Sequence, residues 1–348
     1  MNIKHIQGLL SRINEVRLIN KKLEINGVIC NIAGVVRYGQ KLRLIILEYD
    51  EAYRQKVEEM ELSEPCRLRK EETNRYILKS RGSIEAVQPF RTVNSVFIDG
   101  MEFKVNFTEN RILDHKDGES VLFLSELLRK GWNPDGVDYQ SIDMLFVTGI
   151  EFEGDYDEIP KFDDNVNLHF TMNKDVISYL VEQPVTLVVN GVYPEKLWFK
   201  SEEDTEKHWA QINRVYLLDM WAEMEKSFSN PKLLEHMTKD QVDEVKRNVE
   251  KSFTEFCPKG MYYPVIEYES EEDISLEFHT KKFLDSKPVH KRNGSIGFII
   301  SPDKKTGILG EKLKPAIIQE PVSQDTVIIE AELFKYHKTI SPEKISIR

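Results

Sequence analysis

Cysteine is scarce. The chain holds three, Cys30, Cys66 and Cys257, widely separated and with no Cys-x-x-Cys pair, which excludes both a disulfide framework and a thiolate zinc site. Long apolar runs are missing as well. Stretches such as Leu44–Leu47 fall far short of the ~18 residues that a membrane-spanning helix needs. Residues Met1–Asn14 carry Lys4, His5 and Arg12 with no continuous apolar segment, so they read as a short amphipathic helix and not as a secretory signal. Positive charge is in deficit: 48 Lys and Arg stand against 59 Asp and Glu, a net of −11, which disfavours nucleic acid and anionic membranes as partners. A reducing cytoplasm is the expected location.

The usual site motifs are absent too. The 17 glycines never fall as Gly-x-Gly-x-x-Gly, and there is no Gly-Lys-Ser/Thr to cradle a phosphate. No Gly-x-Ser-x-Gly elbow or His-Glu-x-x-His occurs, and the eight histidines never pair at metal-ligand spacing. These absences weigh against an enzyme without excluding one, because catalytic groups often meet from distant strands.

What the sequence does contain is a repeated hairpin signature. Asn26-Gly27, Asp99-Gly100 and Asn190-Gly191 each lie between β-rich segments, and both central residues of a type I′ turn need positive φ. Further strands are expected at Lys41–Tyr49, Arg75–Ser80, Asp143–Phe152, Val166–Phe170 and Lys196–Phe199, with helices at Ser120–Arg129 and Asp175–Val181. From Ser201 the composition changes. Ser201-Glu202-Glu203-Asp204 resembles a capping box opening a helix to Ser229, and Asn230-Pro231 opens a short one to Met237. Thr238-Lys239-Asp240-Gln241 opens a third, whose Val242, Val245, Val249, Phe253 and Phe256 trace one face. Strands return at Met261–Glu269, Ile274–Phe278, Ile296–Ile300 and Val327–Tyr336. Without βαβ alternation, the fold class is α+β: a β-rich domain over residues 1–203, then a helical block leading into an antiparallel sheet over 204–348.

The candidate chemistry is carboxylate-rich. Asp219 and Glu223 share a helix face at i and i+4 within an apolar segment read as buried, and strand alternation puts Glu267 and Glu269 on one face. Joined by His279 as general base, these four acids make a site for Mg²⁺ or Mn²⁺ and metal-assisted hydrolysis. The plainer reading pairs Asp219 with a nearby base and turns the acidic strands towards water. The acidic loop Glu151–Asp164 lacks the Gly and closing Glu of a calcium loop. Trp132 sits in a turn-rich loop and either contacts a partner or tucks against the preceding helix.

Charge is segregated. Glu202–Glu277 holds 19 acidic residues against 9 basic, a net of −10, and Lys281–Arg292 carries a net of +4 directly after it. The expected function is therefore a cytoplasmic accessory protein that binds another protein through its acidic block, Glu202–Glu255, or the adjoining basic segment. A divalent-metal hydrolase is the alternative.

Overall fold

The structure is a computed structural model. It describes residues 4, 7–8, 11, 13–63, 73–83, 87–116, 118–163, 165–229, 238–288, 300–302, 304–341 and 344–347. It is strand-rich with antiparallel sheets. In chain order the first elements are β1 (Ile13–Ile25), β2 (Val28–Tyr38), β3 (Lys41–Asp50), α1 (Glu51–Ser63), α2 (Asn74–Ser83), β4 (Val93–Ile98), β5 (Met101–Ile112), α3 (Gly118–Arg129), β6 (Phe146–Phe152) and β7 (Leu168–Met172). There follow β8 (Asp175–Val188), β9 (Leu197–Phe199), β10 (His208–Leu218), α4 (Met220–Phe228), α5 (Lys239–Phe256), β11 (Met261–Ser270), β12 (Ile274–Thr280), α6 (Lys281–Leu284), β13 (Lys314–Ile317), β14 (Val322–Ser323), β15 (Ile328–Ile340) and β16 (Ile345–Ile347).

Two compact units interleave along the chain. One comprises residues 1–67, 83–175 and 340–348, the other 68–82 and 176–339. The expected boundary at 203/204, by contrast, divides the chain only once.

The first unit is built on an eight-stranded sheet in the order β1-β2-β3-β6-β5-β4-β7-β16. Two of its hairpins follow directly from their turns. Asn26 and Gly27 sit at φ 51° and 82°, Asp99 and Gly100 at 49° and 83°, which closes Ile25 onto Val28 and Ile98 onto Met101. Strand β3 is buried on both faces: Leu42, Leu44 and Ile46 enter one core, while Ile45, Leu47 and Tyr49 enter a second one beneath α3. Close approach demands glycine at one point, because a Cβ on Gly34 would lie 2.3 Å from the Arg17 carbonyl oxygen where β1 bulges over β2.

In the second unit, a sheet of order β13-β11-β10-β9, with β14 also on β11, shares a core with a three-stranded sheet of order β12-β15-β8. Ile212, Val215, Ile266 and Tyr268 of the first sheet pack with Leu276, Phe278, Leu333 and Tyr336 of the second, in the manner of a β-sandwich.

Several expected elements change type here. Asp175–Val181 is not a helix but the start of β8, whose Tyr179, Val181, Val185 and Leu187 alternate onto the core. Pro184 is tolerated because β8 ends the sheet and needs no donor on its outer side. The helix expected over Ser201–Ser229 is a turn, then β10, then α4. Ser201 Oγ and Asp204 Oδ1 accept backbone N–H bonds from Glu203 and Glu206, each two residues on, so the apparent capping box makes two local turns. Arg75–Ser80, expected as a strand, lies in α2, where the Thr73 hydroxyl accepts from Tyr76 N–H and Arg75 and Lys79 both reach Glu182. Asn190 makes its turn at φ 56°, but no strand returns from it: Val192 is exposed, and β9 pairs with β10.

The helix α5 forms as expected, with the Thr238–Gln241 capping box complete and Cys257 ending it. Its apolar stripe is only partly covered. Val242 and Phe253 are buried, whereas Val245 and Val249 are 40% and 37% exposed. Leu217–Trp221, expected among the most buried segments, is only half-buried. The elements expected at Asn230–Met237, at Ile296–Ile300 apart from Ile300, and over most of Met1–Asn14 lie outside the described residues.

Candidate functional site

The four carboxylates proposed as metal ligands each have their own partners. Asp219 is the N-cap of α4 and accepts from Ala222 N–H at 3.0 Å. Glu223, one turn on, pairs with Lys226 at 2.6 Å in solvent. Glu267 takes both arms of the Arg214 guanidinium, at 3.0 and 2.9 Å, from the facing strand.

Glu269 is fully buried. It accepts from Asn213 Nδ2 at 2.8 Å, Leu309 N–H at 3.0 Å and Glu311 N–H at 2.9 Å, so the loop 307–311 wraps around its carboxylate. With their oxygens so engaged, these residues do not fit a shared Mg²⁺ or Mn²⁺. Nor are β11 and β12 paired neighbours, since each belongs to a different sheet.

His279 does meet other titratable groups, but not those four. On the face of the three-stranded sheet opposite Leu276, Phe278 and Tyr336, polar side chains form a continuous line. Ser178 Oγ lies 2.8 Å from His337 Nδ1, and His337 Nε2 lies 3.1 Å from Glu277 Oε2. Glu277 Oε1 lies 2.8 Å from His279 Nε2, and His279 Nδ1 lies 3.4 Å from Glu320 Oε1. Glu320 Oε2 closes the line by accepting from Thr280 N–H at 2.9 Å.

Electrostatics sets the roles within this line. Burial alone would lower the His279 pKa, but the bonds to Glu277 and Glu320 outweigh it and raise the group to about 9. At neutral pH His279 is therefore a cation sandwiched by carboxylates, a poor choice for the general base assigned to it from sequence. Burial would likewise raise Glu277, yet its two histidine partners hold it well below the usual carboxylate range. Phe283 stacks on the His279 ring at 5.3 Å and Phe334 meets it edge-on at 5.6 Å, which fixes the imidazole plane.

Ser178, His337 and Glu320 escaped the sequence reading for identifiable reasons. The strand expected at Val327–Tyr336 stops one residue before His337, and the helix expected at Asp175–Val181 hides the strand that carries Ser178. Glu320 lies outside every expected strand and helix.

Two further groups of possible ligands occur among the described residues. Asp204, Glu206 and His208 bring their ligand atoms within 4.8 Å of one another. The Lys338 ammonium stands among them, 2.7 Å from Glu206 and 3.5 Å from Asp204, and Tyr336 and His208 also bond Asp204 Oδ2, so the negative charge already has its counter-charge. Asp114, His115 and Asp143 form the other group, an exposed one, in which His115 Nδ1 lies 2.6 Å from Asp143. Of the two readings of Trp132, the tuck against the preceding helix holds: the ring is buried beneath α3, with its indole N–H on Asn31.

No family model, no curated protein and no solved structure matches this chain.

Proposed function

We propose that the chain is a cytoplasmic accessory protein that binds another protein along α5. The observation that carries this reading is the divided apolar stripe of that helix. Val242 and Phe253 are buried, Phe253 packing against Cys257 and Tyr263, while Val245 and Val249 continue the same stripe into solvent. The rest of the exposed helix surface is polar and mostly charged, and Asp240, Asp243, Lys246, Arg247 and Glu250 line a shallow cleft of about 590 Å³. An apolar strip with a charged border suits a partner segment that carries apolar residues flanked by basic ones. The net −10 of Glu202–Glu277 favours a basic partner over an acidic one by steering the encounter. Reduced, buried Cys30 and Cys257 accord with a reducing compartment.

The test is capture from native lysate at low and high salt, in parallel with the double variant Val245→Asp, Val249→Asp. A partner retained by the wild type at low salt, and lost both at high salt and on the variant, supports the reading. A partner that the variant holds equally well, or none at low salt, refutes it.

A further inference from the structure

Ser178, His337 and Glu277 stand on three consecutive strands of one sheet, in the order β12-β15-β8. A carboxylate at His337 Nε2, 3.1 Å away, places the ring proton on that nitrogen and leaves the Nδ1 lone pair facing the Ser178 hydroxyl at 2.8 Å. The serine is exposed, and the His337 and Glu277 side chains are 28% and 32% exposed, so a reagent in solution reaches the hydroxyl. The second Glu277 oxygen is held by His279 at 2.8 Å, which keeps the carboxylate from swinging away from His337. Nucleophile, base and orienting anion are thus within hydrogen-bond reach in the sequence that acyl transfer needs, a constellation recognised by geometry and not by order in the chain.

From this geometry we propose that Ser178 is the nucleophile of an ester-hydrolysing site, with His337 as its general base and Glu277 as a positioning residue. Ser178 Oγ bonds to the ester carbonyl carbon as its proton passes to His337 Nδ1. Collapse of the tetrahedral adduct breaks the bond to the alcohol oxygen, and the alcohol leaves with that proton. Water then gives a proton to the same nitrogen and attacks the acyl carbon. The bond to Oγ breaks, the acid departs and the serine hydroxyl is restored. The substrate class is a carboxylic ester with an uncharged acyl group. Glu277 and Glu320 repel anions here, and half-exposed Val176, on the Ser178 face of β8, offers apolar surface to the acyl chain.

A fluorophosphonate tests the site without requiring the natural substrate. Ser178 Oγ attacks phosphorus, fluoride leaves, and His337 takes the proton. The whole chain is labelled, and the adduct is located by intact mass and peptide mapping. One adduct on Ser178 is expected, absent in Ser178→Ala and formed about tenfold or more slowly in His337→Gln. In Glu277→Gln labelling should slow about tenfold at a fixed pH, and the shorter carboxylate of Glu277→Asp should restore part of the rate. Circular dichroism confirms that each variant is folded. No adduct on Ser178 of the wild type overturns the proposal, as does a labelling rate that His337→Gln leaves unchanged. Should His337→Gln not fold, the wild-type profile decides: a rate flat from about pH 5 to about pH 9 rules out a histidine base. If Glu277→Gln labels as fast as the wild type, the positioning role falls.

Discussion

The Trp132 indole N–H donates a 2.8 Å hydrogen bond to Asn31 Oδ1, joining residues 101 apart in sequence. Asn31 Nδ2 in turn donates to the Asn133 and Asp135 carbonyls at 3.0 and 3.4 Å, so one buried amide on β2 pins the loop after α3. Asn31→Ala strands a buried donor and frees the loop, and should cost about 3 kcal/mol. Urea denaturation with an unchanged m-value checks this; a loss below ~1 kcal/mol would show that the loop is held by Trp132 packing alone.

Glu48 is 1% exposed on β3 and accepts from Thr148 Oγ1 at 3.0 Å and Asn110 Nδ2 at 3.4 Å. Burial outweighs these bonds and raises its pKa from 4.5 to about 7. A raised carboxylate means that the folded state holds a proton which the unfolded chain has released. Between those two values stability therefore falls as pH rises, and the penalty is complete above about pH 7. Glu48→Gln should be the more stable protein at pH 8, by up to ~3 kcal/mol, and lose that advantage towards pH 4.5. Thermal unfolding at several pH values measures the gap; a gap that does not vary with pH counts against the buried charge.

His279 titrates with the opposite consequence. Its folded pKa is raised from 6.5 to about 9, so its contribution is fully present below the lower value and is lost as pH climbs through the upper one. His279→Gln should lower the melting temperature most near pH 6, with the deficit shrinking as pH rises from about 6.5 and gone above about pH 9. NMR titration of the ring gives an independent reading, and a midpoint near 6.5 would dissolve the two-carboxylate account.

Glu269 anchors a loop where the alternative reading placed a metal. A Cβ on Gly307 would lie 2.3 Å from the Glu269 carboxyl carbon, so the loop backbone is pressed against the acid. Glu269→Ala should cost about 3–5 kcal/mol, since it leaves backbone N–H groups and Asn213 facing an empty site. Added Mg²⁺ should leave the wild-type melting temperature unchanged. A rise at millimolar Mg²⁺ that Glu269→Ala abolishes would restore the metal reading.

Short-range chemistry was legible in the residues themselves. Asn26-Gly27 and Asp99-Gly100 make their hairpins because each dipeptide supplies the two positive φ values that the turn demands. Thr238 and Gln241 start α5 through bonds that span only three residues. In both cases the partners are near enough in sequence for local preference to decide.

Where the partner is distant, only the tertiary structure decided. Val215 and Leu217 suit a helix or a strand equally well in isolation; pairing opposite Ile266 and Pro264 of β11 makes them strand. The same holds for Asp175–Val181, extended because β15 offers an edge and the core takes Tyr179 and Val181. Asp219, Glu223, Glu267 and Glu269 were recognisable as a set of acids, but their roles followed from whichever cation or N–H each one met. Ser178 and His337 lie 159 residues apart, and nothing local to either announces the other. Sheet order brings them together, because hydrogen-bonding β8 to β15 is what sets two polar side chains side by side on one face.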